Sequence, residues 1–323
     1  ERILNLERIA ITSPMFNEEE LKSEKGNVKA ELTGYMNDYA RLLWPRLQKA
    51  IGEEVPNLKE RLATINNIEL KDIREHYRRT HTAKNMRFII AGQIKHRKKE
   101  ILRNLEDWDL KEGRRFEIPK DKLHSSPAVL VKRKDASNIT FGFSMVTPRR
   151  LSIQETQAMG ALNHILNGTM SSRIFGQARK RGLVYGMGSG INSSKHYSSW
   201  DFDGEVNLET ADELFSLIQV EMVRALNGEI SDEEIEAVKT YAQGRYQMGA
   251  QTVSQISDYY TDDYFMTEKV ELYDDFPQVI KEINKPSIVE LAREFAGSGI
   301  HAFVAVGSVE KAVINQLAES LNF

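Results

Sequence analysis

Apolar residues recur at helical spacing through most of the first hundred residues of the chain. Residues 2–14 place apolar side chains three or four positions apart, which predicts a first helix. Asn17 and Glu20 form a capping-box pattern that predicts a second helix running to about Leu43. Pro45 is expected to end or kink that helix. Shorter helices are predicted over 57–65, 69–81 and 97–106, with a buried strand over 86–92.

The second half mixes continuous apolar runs, alternating segments and helical patterns. The segment from Leu183 to Val206 alternates apolar residues with Gly, Ser and aromatic residues, which predicts a long hairpin. Strands are predicted over 128–133, 139–147 and 301–306, and helices over 153–166, 171–180, most of 209–296 and 308–320. Because strands and helices segregate along the chain, the predicted fold class is α+β, with antiparallel-rich sheets packed against helices.

Two landmarks in the chain return at nearly the same offset. The polar helix start at Asn17 returns at Ser231, 214 residues later, and the apolar run that ends at Gly92 returns at Gly307, 215 residues later. This repetition predicts two homologous domains. The second copy has about 100 residues before Ser231 and the first has 16 before Asn17, so the first domain is expected to lack roughly its opening 90 residues. The predicted division is 1–107 for the first domain, 108–126 for a polar linker and 127–323 for the second domain.

Composition excludes several classes of function. The net charge is −3 with 28% charged residues, so no basic excess indicates a nucleic-acid partner. No stretch approaches 18 consecutive apolar residues, which predicts no membrane span. The chain has no cysteine, which excludes disulfides, thiolate nucleophiles and Cys-ligated metals. This composition suits a reducing compartment, and a cytoplasmic location is predicted.

Two carboxylates in the second predicted helix share one face. Glu24 and Glu31 are seven residues apart, which is two helical turns. Taken alone, they are typical of a solvated helix that mixes acidic and basic residues. The segment from Phe16 to Leu32, however, resembles the helix that carries the third zinc ligand in the M16 zinc metallopeptidases. This is the family of pitrilysin, insulinase and mitochondrial processing peptidase. The resemblance implies that Glu31 is a metal ligand and that Glu24 is an accessory catalytic carboxylate.

A second segment also resembles this family. Residues Gly168–Phe175 and Arg179–Tyr185 are similar to a signature of the second M16 domain, in which an Arg and a Tyr contact the bound peptide. The resemblance implies that Arg181 and Tyr185 bind substrate. Without it, Arg181 is typical of a solvated helix end, and Tyr185 of a half-buried strand residue.

One departure from the family is large. The inverted zinc motif His-x-x-Glu-His is absent from this sequence, since no two of its seven histidines are four residues apart. In the family the motif precedes the third ligand, which places it before residue 1, in the segment that the first domain is expected to lack. This chain is therefore expected neither to retain zinc nor to hydrolyse peptides by itself. The run from Asp72 to His76 resembles the motif superficially, but it follows Glu31 and is interpreted as an ordinary helix.

The resemblance implies a function for the intact protein. It would be a zinc-dependent endopeptidase subunit that cleaves peptides or small unfolded proteins in a chamber between two domains, as a homodimer or heterodimer of M16 subunits. The alternative is a non-catalytic M16-like subunit that binds substrate or a partner in a heteromeric peptidase. A third possibility is a structural subunit of a larger complex. The presence of Glu24 and Glu31 favours the first, and Arg181 and Tyr185 count against the third.

Overall fold

The computed structural model describes residues 2–323. The helices are α1 (Arg2–Thr12), α2 (Glu18–Tyr35), α3 (Tyr39–Ala50), α4 (Leu58–Ile65), α5 (Leu70–Thr80), α6 (Lys98–Glu106), α7 (Ile153–Asn167), α8 (Phe175–Lys180), α9 (Ala211–Leu226), α10 (Asp232–Gly249), α11 (Val253–Thr267), α12 (Phe276–Glu282), α13 (Lys285–Gly297) and α14 (Lys311–Glu319). The strands are β1 (Val129–Lys132), β2 (Ile139–Thr147), β3 (Val184–Ser193), β4 (Ser198–Val206) and β5 (His301–Gly307). Within the described part of the chain, no helix is both long and apolar enough to cross a membrane.

The chain forms two compact units that are not contiguous in sequence. The first contains 1–34, 59–119 and 249–270, and the second contains 35–58, 120–248 and 271–323. Residues 35–58, which sequence analysis assigns to the first domain, therefore cluster with the second unit. Compactness and homology are different criteria, so the predicted boundaries of homologous domains stay predictions.

The second unit is built on a five-stranded sheet of order β1-β5-β2-β4-β3. β1 pairs with β5 in parallel, and the other neighbours are antiparallel. The predicted hairpin is formed by β3 and β4, and it leaves β3 at the edge of the sheet. Helices cover the sheet, so the predicted α+β class is confirmed for this unit.

Alternation along the strands divides the sheet into two faces. On one face, aromatic residues of β2 and β4 pack against α7, α9 and α13 in the main core of the unit. Phe143 stacks on Phe202 with 4.6 Å between ring centroids, and Trp200 is fully buried beside them. Their burial makes these aromatic residues part of the packing of the sheet.

The opposite face is covered in part by α3. Leu43, Leu47 and Ala50 of this helix pack against alternate residues of β5, in a second cluster of buried side chains. α3 begins where Asp38 accepts a hydrogen bond from the backbone of Arg41. A helix that restarts at this cap was not predicted.

Pro45 lies inside α3, so the helix does not end there, which was one of the two predicted effects of this proline. Proline in a helix interior costs about 3 kcal/mol. Burying each large aliphatic side chain contributes about 1.5–3 kcal/mol, and Leu43 and Leu47 are both within 2% of complete burial. Their burial offsets the cost of the proline and keeps the helix continuous.

The first unit contains α1, α2, α4, α5, α6 and α11. Residues 86–92 were predicted to be a buried strand, but they form no strand, and residues 87–91 make no backbone–backbone hydrogen bond within residues 2–323. Phe88 is 39% exposed and packs edge-to-face on Trp108, with ring centroids 4.9 Å apart. This segment lines a cavity of about 580 Å³ together with residues of α1 and α11.

Candidate functional site

The loop between α7 and α8 is fixed by a half-buried arginine. Arg173 donates from Nε to Glu234 on α10 at 2.6 Å and from Nη2 to the carbonyl of Glu229 at 2.8 Å. Its Nη1 lies 3.8 Å from Glu221, whose side chain is 11% exposed. Charge-assisted hydrogen bonds with little exposure to solvent are strong. These contacts of Arg173 therefore fix the position at which α8 begins.

The end of α8 is a Schellman motif. The amide of Leu183 bonds the carbonyl of Ala178 at 2.9 Å, and the amide of Gly182 bonds the carbonyl of Arg179 at 3.1 Å. Gly182 has φ of +71°, a conformation that glycine adopts without the steric cost of a Cβ. Leu183 is buried at 3% exposure and anchors the turn, and Arg181, two residues earlier, lies on the surface.

Arg181 contacts an acidic neighbour at this surface. Its Nη1 lies 3.6 Å from the Glu213 carboxylate on α9, with side chains 46% and 55% exposed. An exposed pair of this kind contributes little to stability, so the guanidinium can exchange partners at small cost.

Tyr185 lies at a bulge in the edge strand. Val184 pairs with Val206 and Met187 pairs with Gly204, so two residues of β3 lie opposite one residue of β4. Bulges redirect side chains, and Tyr185 is 86% exposed. The guanidinium carbon of Arg179 lies 4.6 Å from the centre of its ring, within the range of a cation–π interaction.

The partner of Tyr185 in the structure is therefore Arg179, while Arg181 contacts Glu213. Sequence reasoning named Arg181 and Tyr185 from the resemblance and missed Arg179. The run Arg179-Lys180-Arg181 contained the relevant signal, because Arg179 is near a helix C-terminus and a strand begins five residues later.

The predicted carboxylates Glu24 and Glu31 are both exposed residues on α2, in the first unit. Glu24 accepts a hydrogen bond from Nδ2 of Asn27 at 3.3 Å. α2 begins as predicted, since the amide of Glu20 donates to the Asn17 side chain at 2.8 Å. The shared helix places the two carboxylates two turns apart, as expected from their spacing.

A zinc ion does not fit the residues present. Hydrolytic zinc takes three protein ligands, usually with histidine among them. Across residues 2–323, no three His, Cys, Asp or Glu side chains are grouped so that they could hold a metal ion. Asp72, which begins the superficial motif before His76, is instead a capping residue of α5, because its side chain accepts from the amide of Glu69 at 2.7 Å.

A half-buried tyrosine and a half-buried carboxylate also meet in the second unit. The Tyr197 hydroxyl donates to Glu53, which also accepts from Gln48 at 3.0 Å. Burial, and then the hydrogen bond to Glu53, raises the pKa of Tyr197 well above its usual range. Burial raises the pKa of Glu53 as well. The pair ties the residues after α3 to the β3–β4 turn and is a structural contact.

Comparison with known proteins decides the family. The family model described as the peptidase M16 inactive domain matches residues 67–241, more than half of the chain. The chain belongs to the peptidase M16 family. The matched residues include the Arg173 loop, Arg181 and Tyr185, but not Glu24 or Glu31.

A curated relative of this M16 chain is the uncharacterized zinc protease YmxG of Bacillus subtilis (strain 168). It is 22% identical over 290 residues, which cover 86% of this chain and 68% of the relative. The family therefore includes a protein named as a zinc protease, while no zinc site is formed within residues 2–323 of this M16 chain.

Solved structures share the fold. A protease from Helicobacter pylori matches with a TM-score of 0.79 and 17% identity, over 95% of this chain and 76% of the other. The peptidase M16 inactive domain from Pseudomonas fluorescens matches with a TM-score of 0.81 and 16% identity, over 95% and 74%. A chain of Complex III2 from Candida albicans matches with a TM-score of 0.78 and 13% identity, over 99% and 78%. At these identities the likeness concerns the fold alone.

Proposed function

We propose that the chain is the substrate-holding part of a zinc-dependent M16-type endopeptidase, and that it holds the peptide as an added strand on β3. The observation that carries the proposal is the edge position of β3, with an exposed tyrosine fixed at its bulge. An edge strand offers unpaired N–H and C=O groups to an extended peptide, and such β-augmentation gives affinity largely independent of peptide sequence.

Tyr185 and two arginines form the contact surface at one end of this edge. The cation–π contact with Arg179 limits the mobility of the ring, and a rigid aromatic side chain makes a strong contact at low entropic cost. Arg181 can donate to a peptide carbonyl or carboxylate after it leaves Glu213. These residues bind and orient the peptide.

The roles of Glu31 as a zinc ligand and of Glu24 beside it are part of the proposal. The residues that accompany Glu31 in holding zinc would have to come from outside residues 2–323, because no metal-binding group forms within them. A cytoplasmic location and association with a second M16 chain, identical or different, also remain proposals.

Hydrogen exchange and peptide binding together test the docking. A fluorescein-labelled decapeptide of alternating Thr and Val is titrated by fluorescence polarisation, and exchange of the β3 amides is measured with and without it. We expect slower exchange within residues 184–193 and about tenfold weaker binding for Tyr185→Ala, the effect of losing about 1.4 kcal/mol. Tyr241→Ala, at a tyrosine of α10 that is 47% exposed, is the matched control and should bind as the wild type does. Unchanged exchange in β3 would refute the docking mode.

A non-catalytic subunit is the second candidate, and one observation favours it. The matching family model is that of an inactive domain. Equilibrium dialysis against zinc, followed by gel filtration, distinguishes the two candidates when it is applied to the natural protein and to its Glu31→Gln variant. One zinc per chain that is lost in Glu31→Gln supports the peptidase. Peptide binding without bound zinc supports the non-catalytic subunit.

A further inference from the structure

Carboxylates run along β4 on the sheet face opposite the main core. Asp201, Asp203 and Glu205 alternate with the core residues Trp200 and Phe202, so the three acids share that face. We call these three residues the acidic stripe. Its burial decreases along the strand, since Asp201 is buried, Asp203 is half-buried and Glu205 is exposed.

Asp203 is the unpaired member of the acidic stripe. Asp201 accepts hydrogen bonds from three side chains, and Glu205 accepts one from Asn138 at 2.6 Å. The donors to Asp201 are Ser144, Asn192 and Ser199. Among residues 2–323 the Asp203 carboxylate has no hydrogen-bond or ion-pair partner. Burial, and then the nearby Asp201, raises its pKa. A half-buried carboxylate without a partner is stabilised by any cation that reaches it.

Glycine flanks Asp203 on both neighbouring strands. Gly142 of β2 and Gly188 of β3 lie directly opposite it. A Cβ at Gly188 would lie 2.5 Å from Oδ1 of Asp203, and one at Gly142 would lie 3.0 Å from Leu43 of α3. Because α3 covers the β2 side, the approach to Asp203 passes over Gly188, from the edge of the sheet.

A second polar group without a partner lies on the same face. Thr140 of β2 pairs with Glu205 and is 8% exposed, and its Oγ1 is buried without a hydrogen-bond partner within the described residues. A buried hydroxyl that lacks a partner costs about 1–3 kcal/mol. Thr140 is diagonal to Asp203 across the β2–β4 pair. This face of the sheet therefore has an unpaired carboxylate and an unpaired hydroxyl that a polar ligand group could contact.

The position of the added strand decides which ligand group can reach Asp203. Neighbouring strands are about 4.8 Å apart, so a peptide added outside β3 lies about 10 Å from β4. Alternate side chains of that peptide project onto the face of the acidic stripe. Gly188 itself has no side chain between the added strand and Asp203, and Lys and Arg carry their charge at the end of a stem of three or four carbons.

We propose that Asp203 is a specificity-determining residue that selects a peptide with a Lys or Arg in register with Gly188 of β3. This inference rests on the proposed docking of a peptide on β3. It adds a charge preference at one position of an interaction that is otherwise made by backbone groups. Side chains one position away project onto the opposite face. A peptide of alternating residues can shift along β3 by two residues without exchanging its faces, so with such a peptide the preference is expected at alternate positions.

The test uses the full 323-residue chain and a set of labelled Thr/Val decapeptides in which one Lys occupies each position in turn. A matched set has norleucine in place of Lys. We expect Lys peptides to bind about tenfold tighter than norleucine peptides at alternate positions only. Asp203→Asn should abolish this difference without changing the affinity for norleucine peptides. Gly188→Val, which places a branched side chain over the path, should reduce the Lys preference as well.

Glu290→Gln is the matched control, because it removes one exposed acid on α13 and should keep the full Lys preference. The same Lys preference in wild type and in Asp203→Asn would overturn the assignment of Asp203. Equal binding of Lys and norleucine peptides, with β3 amides protected in both complexes, would refute the charge preference and keep the docking. Absence of protection in β3 with every peptide would instead refute the docking mode of the proposed function.

Discussion

Residues 86–92 and β5 carry the same pattern, an apolar run that follows a helix and ends at a glycine, but only β5 lies in a sheet. β5 pairs with β1 on one side and β2 on the other, and residues 302–307 are all buried. Residues 86–92 are half-exposed and have no ladder partner in the part of the chain that the structure describes.

Whether an apolar run forms a strand depends on its neighbours as much as on its own residues. β5 buries both faces, with Phe303 toward the main core and Val304 toward α3, as expected of a central strand. Residues 86–92 have an equally apolar sequence, but a strand gains its ladder hydrogen bonds only from other strands. Without them, the segment is held by side-chain contacts such as Phe88 on Trp108.

The largest expected difference between the two runs is in the cost of removing a phenylalanine. Phe303 is 5% exposed in the core, so Phe303→Ala should lower the free energy of unfolding by about 3–5 kcal/mol. Phe88 is 39% exposed, and Phe88→Ala should cost about 1 kcal/mol, mainly through its aromatic pair. Urea unfolding measured by tryptophan fluorescence checks both values.

The tryptophans allow each unit to be followed separately. Trp108 is in the first unit, while Trp44 and Trp200 are in the second. Changing Trp44 to Phe leaves one reporter in each unit. Phe303→Ala should shift the transition reported by Trp200, and Phe88→Ala should shift the one reported by Trp108. Equal losses for both variants would mean that residues 86–92 are packed as firmly as β5.

Sequence reasoning recovered the parts of the fold that depend on local signals. The helix start at Asn17 follows from its capping residue, and the β3–β4 hairpin follows from alternation. Continuation through Pro45 was missed because it depends on burial against β5, which is remote in sequence. The absence of a strand at 86–92 could not be predicted for the same reason.

The candidate site was predicted through resemblance, and its geometry was not. Tyr185 was named, but its contact with Arg179 depends on a bulge that single-sequence patterns do not reveal. Asp203 gave no signal, because one Asp in an alternating strand reads as an ordinary exposed residue. Asp203 becomes a candidate binding residue because Gly142 and Gly188 lie opposite it, and the strand register that places them there is known only from the structure.

The hydrogen-bonded ion pairs of Arg149 should make the free energy of unfolding depend on pH. Arg149, just after β2, donates to Glu155 at 2.8–2.9 Å and to Glu294 of α13 at 2.5–2.8 Å. Hydrogen bonds from Arg149 hold the pKa of Glu155 and of Glu294 below the usual value. The stabilisation is therefore present above the unfolded-state pKa of Glu, about 4.3, and is lost as the pH falls through the lower folded-state values.

Arg149→Met tests the contribution of these ion pairs. Because Arg149 is 42% exposed and solvent screens the pairs, we expect a loss of about 1 kcal/mol at pH 7. Below pH 3 the loss should shrink, since the carboxylates become protonated in both proteins. Urea unfolding at pH 7, 5, 3 and 2 gives the comparison. A loss that stays constant across this range would mean that the arginine acts by packing alone.

The smallest expected effect concerns the ion pairs of Glu268 with Arg87 and Arg115, beside residues 86–92. Glu268, just after α11, accepts from Arg115 at 3.0 Å and from Arg87 at 3.5 Å, and it is the single non-glycine residue with positive φ among residues 2–323. α11 contains no fully buried residue, so polar contacts hold it to the first unit more than apolar burial does. Glu268→Gln should cost about 0.5 kcal/mol, because the pairs are exposed.

Hydrogen exchange resolves this small change better than global unfolding does. Amides of residues 253–267 should exchange two- to threefold faster in Glu268→Gln, which corresponds to about 0.5 kcal/mol of local opening. Added salt should speed exchange in the wild type and have little effect in the variant, since salt screens exposed charges. Glu236→Gln removes an exposed pair with Lys239 on α10 and should leave α11 unchanged. If α11 kept its wild-type exchange in Glu268→Gln at every salt concentration, its attachment beside residues 86–92 would rest on side-chain packing, as that of β5 does.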